Sequence, residues 1–234
     1  NFAVIDTTKI YGNFADGAVS GVSQLHYTEL IDGIIDGGQP GVVYILDNLD
    51  ITKGNGTIGE VELNVLGNTI VGTGRTILLN DNSGVKSFKG KVINDGTWTS
   101  FIVSSANSLV FTNGIENNGI SFMAGAATFK TNNQELSGTT EFIFAHPVVI
   151  NSIDLTNNSI VTMSNTIEGT LSGNGKWIQA ENSTLNYAGN TMMINILDAS
   201  ATGNTISYNR SGNQYITLAS TNKYYNIEIV TSGT

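Results

Sequence analysis

Leu185, Ile206 and Ile227 fall 21 residues apart twice over, and the first two sit in near copies, Ser183-Thr-Leu-Asn-Tyr187 and Asn204-Thr-Ile-Ser-Tyr208. Ile194 and Ile196 recur near Ile216. Looser copies lie earlier, at Asn107–Phe111, Ala127–Thr131 and Asn158–Thr162. Their apolar anchors (109, 129, 160, 185, 206) are separated by 20, 31, 25 and 21 residues. A unit of roughly 20 residues cannot bury an apolar face alone and must stack on its neighbours. Short apolar runs punctuated by Asn-Gly turns (Asn55, Asn113, Asn118, Asn174) and Gly-Asn pairs (Gly67, Gly173, Gly189, Gly203, Gly212) make the stacked elements strands. The expected fold is all-β: a parallel β-helix (β-solenoid) with a coil of about 20–21 residues and occasional loop insertions. Its body is expected over residues 42–234, with Tyr187 over Tyr208 as one aromatic rung.

Composition agrees. Gly, Asn, Thr and Ser make up 103 of 234 residues, a share that suggests disorder until the 40% hydrophobic content is set beside it. There is enough apolar material for a core, and Asn and Thr can form ladders at the corners of stacked coils. No apolar run reaches membrane-span length, so membrane insertion is not expected. The net charge of −9 argues against nucleic acid as a partner. There is no cysteine, hence no disulfide framework or thiolate metal site. The chain starts at Asn1 without a signal peptide, as a processed form or an excerpt would.

Residues 1–41 differ from the rest. Residues 1–60 carry eight acidic side chains against Lys9 and Lys53, a net of −6. Tyr27, Leu30, Ile31, Ile34 and Ile35 recur at i, i+3, i+4, i+7 and i+8, which predicts a short amphipathic helix over 27–35. Gly37-Gly38-Gln39-Pro40-Gly41 would end it, and its apolar stripe would cap the first coil. Asn1–Asp6 is strand-like and could complete a neighbour by strand addition.

The stretch Ser23–Asn80 resembles the start of β-helical bacterial surface proteins of the autotransporter and haemagglutinin-repeat adhesin kind. The likeness is carried by Tyr27–Ile35, by Gly41-Val-Val-Tyr-Ile-Leu-Asp-Asn-Leu-Asp-Ile-Thr52 and by Asn64-Val-Leu-Gly-Asn-Thr-Ile-Val-Gly-Thr-Gly-Arg-Thr-Ile-Leu-Leu-Asn80. Ser183-Thr-Leu-Asn-Tyr-Ala-Gly189 and Tyr224-Tyr-Asn-Ile-Glu-Ile-Val230 are similar to repeats of large secreted surface proteins of Bacteroidetes-type bacteria. The resemblance implies a right-handed β-helix, an extracellular or cell-surface location and a scaffold or adhesive role. It names no ligand.

No catalytic, cofactor or metal residues are assigned. His26 and His146 are the only histidines, and the predicted rod puts them coils apart. A lyase or hydrolase site needs an Arg or Lys base, or two or three carboxylates, gathered on one sheet. No Asp pair recurs at coil spacing, and Asp154, Glu168, Glu181 and Asp198 read as single solvated charges. Asp47 and Asp50 lack the alternating carboxylates of a calcium loop and read as Asx-turn residues. The four sequons, at Asn55, Asn157, Asn182 and Asn209, are no more than this composition yields by chance. Trp98, Trp177 and the run Tyr208, Tyr215, Tyr224, Tyr225 could stack on sugars but more simply fill the core.

The expected function is therefore a non-catalytic structural or adhesive rod. The sequence shows no capping helix or proline after Tyr224–Val230, and an open coil invites end-to-end self-association into a filament. Other expected partners are a glycan or a host or neighbouring cell surface. The alternatives are a glycan-binding or carbohydrate-active β-helix and a phage fibre. A carboxylate cluster or a Lys/Arg-lined groove on one sheet would overturn the purely structural reading in favour of the carbohydrate alternative.

Overall fold

Strands of three or four residues, each bounded by Gly, Asn or Asp, cannot pair as hairpins when every turn bends the chain the same way; they wind. The computed structural model describes residues 7–14, 22–36, 41–80, 84–103, 108–164 and 170–230. These form 26 strands, numbered in chain order from β1 (Thr7–Phe14) to β26 (Asn226–Ile229), all paired in parallel, in a solenoid of about nine turns. At a strand spacing of about 4.8 Å the rod is roughly 45 Å long.

Three strands make one coil. β7 (Glu62–Val65), β8 (Thr69–Val71) and β9 (Thr76–Leu79) are followed by β10 (Lys86–Phe88), β11 (Val92–Asn94) and β12 (Thr97–Ser100), and each pairs with the strand three places on. Three parallel sheets result. The first runs on through β13 (Leu109–Phe111), β16 (Ala127–Lys130) and β19 (Val148–Asn151). The second runs through β14 (Ile115–Asn117), β17 (Gln134–Ser137) and β20 (Asp154–Asn157). The third runs through β15 (Ser121–Ala124), β18 (Phe142–Phe144), β21 (Ile160–Met163), β23 (Thr184–Tyr187) and β25 (Thr205–Tyr208) to β26. Coil length varies while register holds. Trp98 pairs with Phe122, Phe122 with Phe142, Phe142 with Val161, and Leu185 with Ile206 and then Ile227.

Alternate side chains point inward and stack on the coil below. Phe88, Phe111 and Phe129 form one pile with ring centroids 5.6 and 5.3 Å apart. Trp98 lies on Phe122 at 5.3 Å and meets Phe88 edge-on at 5.2 Å. Tyr187 and Tyr208 are register partners, 6.2 Å apart, as the repeat predicts. Burial pushes both phenols up from their ordinary pKa.

At the corner between the second and third sheets the core turns polar. Asn94 Nδ2 donates to Asn117 Oδ1 at 2.7 Å, and Asn117 Nδ2 donates to the carbonyls of Thr140 and Glu141. Further along, Asn157 Nδ2 donates to Gln179 Oε1 at 3.0 Å, and Gln179 Oε1 also accepts from Trp177 Nε1 at 2.7 Å. These fully buried amides are the ladders that the composition suggests, bonded from rung to rung, with Asn94 Oδ1 left as a buried acceptor without a partner. The coil passes so close here that Gly138, at φ +120°, would place a Cβ 2.1 Å from Asn117 O. Only glycine fits that position.

The capping helix is a misreading. Residues Tyr27–Ile35 form strand β3, paired with β1, with β5 (Leu49–Ile51) and with β6 (Gly56–Ile58). Asp32 takes φ +53° and turns a corner inside the segment, placing its two halves on different sheets. Leu30 points inward before that corner and Ile35 after it, while Ile31 and Ile34 are half-buried. Two period-two strands joined at a corner therefore imitate a period of 3.6. Three isoleucines and an internal glycine favour the ladder over a free-standing helix. β1 and β3 thus already belong to the parallel ladder, as does β2 (Val22–Leu25), which pairs with β4 (Val42–Ile45). Asn1–Asp6 lies outside the described residues.

Candidate functional site

The residues weighed in the sequence are dispersed. His26 sits between β2 and β3, where its carbonyl accepts from Thr28 Oγ1 at 3.0 Å, and His146 lies on a later coil before β19. Asp47 Oδ1 accepts from Asn48 N at 2.8 Å and Asp50 Oδ1 from Thr52 N at 2.8 Å, so both carboxylates cap their own turns. Among the described residues no group of three or more His, Asp or Glu gathers as a metal site. Trp98 and Trp177 are fully buried and take no part in sugar stacking. Tyr208 is buried and bonded to Tyr224, while Tyr215 and Tyr225 are exposed. Asn157 of the second sequon is buried in the amide ladder. Glu168 lies outside the described residues. Asp198 is paired rather than merely solvated: Lys176 approaches at 3.2 Å. Burial raises its pKa, but hydrogen bonds from Ser200 and Lys176 outweigh that and hold the carboxyl below its usual range.

Two arrangements are visible only in the fold. The first lies on the second sheet of the first coils. Glu29 and Asp50 are register partners, both buried, and so form the carboxylate pair at coil spacing that the sequence survey did not pick out. Lys53 Nζ meets Glu29 Oε1 at 2.5 Å and Lys9 Nζ lies 3.7 Å from Oε2, while the Tyr27 hydroxyl donates to Asp50. Burial, then the bond to Asp50, pushes the Tyr27 phenol up. The hydrogen bond that Lys53 donates to Glu29 raises the Lys53 pKa in turn. Each carboxylate is thus matched by donors from adjacent coils. Such a knot ties β1, β3 and β5 together.

The second is a cleft of 360 Å³ on the outside of the first sheet, lined by Asn64, Ser87, Lys89, Thr112, Lys130 and Thr131, with Val110 at its floor. Its placement follows from the core. Phe88, Phe111 and Phe129 are in register, so the residues after them (Lys89, Thr112 and Lys130) occupy three successive rungs. Thr112 Oγ1 donates to the Lys89 carbonyl at 2.9 Å, and Asn64 Nδ2 donates to Glu62 Oε1 at 3.1 Å. Neither Lys89 nor Lys130 forms an ion pair among the described residues, unlike Lys9, Lys53, Lys91 and Lys176. The signal was available: aligning the repeats on Phe88, Phe111 and Phe129 brings Lys89, Thr112 and Lys130 into one column.

Thr131, at the rim, has φ +85°, a conformation costly for a β-branched residue. Thr131→Gly should relieve that strain while making the unfolded chain looser. The expected net gain is about 1 kcal/mol in chemical denaturation. A loss of stability instead would show that contacts of the threonine side chain outweigh the strain. A neighbouring hollow of 290 Å³ is lined by Lys91, Gln134 and Glu135, but there Lys91 is engaged by Glu116 at 2.6 Å. That hydrogen bond holds the Glu116 carboxyl below its usual range. Lys86, fully buried in the first sheet, donates from Nζ to the Gly84 carbonyl at 3.1 Å.

Comparison of the chain with protein-family models, with curated proteins and with solved structures finds no match.

Proposed function

We propose that the chain is a non-catalytic structural and adhesive rod of a bacterial cell-surface or secreted protein, working outside the cell. The observation that supports this most is the column of stacked rungs. Buried side chains from Leu30 to Tyr208 form one continuous core along successive coils, so the architecture yields length rather than an enclosed chamber. The outer faces are then free to carry contacts. A right-handed winding is the sense that the twist of parallel strands favours.

End-to-end association with a second copy is part of this proposal. Among the described residues β26 pairs with β25 alone, and its Ile227 and Ile229 are 41% and 61% exposed. The equivalent positions one coil earlier, Ile206 and Tyr208, are buried. Charge is complementary: residues 1–60 carry a net −6, whereas beyond residue 199 the charges are Arg210, Lys223 and Glu228. The first coil of one rod would continue the ladder of another, a heterologous contact that propagates into a filament. Sedimentation over a concentration series, with electron microscopy of the same samples, tests this. Lengthening rods are expected, and the double variant Ile227→Asp/Ile229→Asp should remain a single rod. Wild-type protein that stays monomeric throughout would overturn the assembly, and compact particles would overturn the rod.

A further inference from the structure

We infer that the cleft on the first sheet is a binding groove for an acidic polysaccharide running along the rod axis, with Lys89 and Lys130 each receiving an anionic group. This rests on the adhesive role proposed above and gives it a ligand class. Three observations carry it.

The two lysines are on the same outer column, one rung on either side of Thr112, because Phe88, Phe111 and Phe129 beneath them are stacked in register. Their backbone positions are therefore about 10 Å apart and fixed by the core rather than by loop conformation. Both ammonium groups also lack an anionic partner among the described residues, in a protein with 19 acidic side chains available to supply one. Both side chains line the cleft. Finally, the space between them is lined by neutral hydrogen-bonding groups: Ser87, which has no side-chain partner among the described residues, with Thr112 and Asn64. One carboxylate, Glu62, borders this lining through its bond to Asn64.

Two positively charged residues two rungs apart, with hydroxyls and an amide between them, match a polymer that carries both anionic groups and hydroxyls. That is the chemistry of polyuronates. Duplex nucleic acid has a denser line of charge, more than two lysines can match in a chain of net charge −9. Exposed lysines make weak, salt-screened contacts, so affinity should be modest per site and should fall as salt rises. Repetition of the rod would increase avidity.

The test uses the Ile227→Asp/Ile229→Asp protein, if it is a single rod, and wild-type protein otherwise, so that binding is read apart from assembly. Polygalacturonate is titrated at low salt, with dextran as the uncharged polymer and single-stranded DNA as the competing polyanion. Binding to polygalacturonate alone is expected. Lys89→Gln/Lys130→Gln should weaken it about tenfold at an unchanged melting temperature. Lys223→Gln, at an exposed position outside the cleft, should bind as well as the parent. Absence of polygalacturonate binding, equal binding by the Lys89/Lys130 variant, or DNA binding of equal strength would each overturn the assignment. Any of these would leave the rod and its assembly, read by sedimentation, standing.

Discussion

Replacement of Trp98 by alanine is expected to destabilise the fold by about 3–5 kcal/mol, among the largest losses that one side chain here can produce. Trp98 is fully buried in the third sheet, paired in register with Ile77 below and Phe122 above. It touches both aromatic piles: Phe122 face-on at 5.3 Å, and Phe88 and Phe111 from the first sheet at 5.2 and 6.2 Å. Removing the indole opens a cavity where the two piles meet. The rungs on either side cannot close it, because their spacing is fixed by backbone hydrogen bonds. Trp98→Phe separates volume from polarity. The indole Nε1 is buried without a hydrogen-bond partner, and phenylalanine removes that liability while keeping a ring. Its expected cost is well below that of alanine, about 1–2 kcal/mol. Equilibrium denaturation of the three proteins checks both values. If phenylalanine costs as much as alanine, the two-ring contact depends on the indole shape rather than on filled volume.

The second large effect is expected at Asn117. This side chain is fully buried, accepts from Asn94 Nδ2 and donates to the carbonyls of Thr140 and Glu141. Asn117→Ala strands groups on three neighbouring segments in a dry interior, at an expected cost of about 3 kcal/mol. Asn117→Asp adds a pH dependence of known sign. The aspartate keeps the acceptor for Asn94 but places negative charge against two carbonyl oxygens, so its folded pKa should lie above the unfolded value of about 3.9. The folded protein then binds the extra proton. Stability should rise as pH falls through the folded pKa and level off below the unfolded one. The aspartate protein should be the less stable of the two at pH 8 and should approach or pass the alanine protein near pH 4. Denaturation at four or five pH values decides this. A flat difference between the variants would mean that water reaches the ladder and the corner is not dry.

The parts of this fold legible in the sequence were those in which repetition and local chemistry coincide. The 21-residue steps from Leu185 to Ile206 to Ile227 are true register steps of one sheet. The earlier anchors mixed two columns. Phe129 belongs to the first sheet, whereas Ile160 is on the third and half-exposed, with Val161 as the inward residue. Their separation of 31 residues is therefore not a coil length. The helix over 27–35 failed for a related reason: a corner resets the inward–outward alternation, and sequence alone does not mark where Asp32 turns. Lys86 shows the reverse case. Phe88 is inward, and the period of two puts Lys86 inward as well, a placement its charge argues against. The cleft and the Glu29–Asp50 pair were hidden because both exist only across rungs. Their members lie a coil apart, and only a fixed register shows which residues meet.

Variable coil length under constant register has a consequence for how such a chain acquires its shape. Its β pairing is all parallel, which usually implies distant partners and slow folding. Here each strand pairs with one roughly 21 residues away in a chain of 234, a relative separation of about 0.09, the range of helical bundles. The search is local. Each finished coil is the template for the next, so the chain can wind progressively from an early nucleus. Insertions of a few residues between strands alter the corners without disturbing what has already been wound.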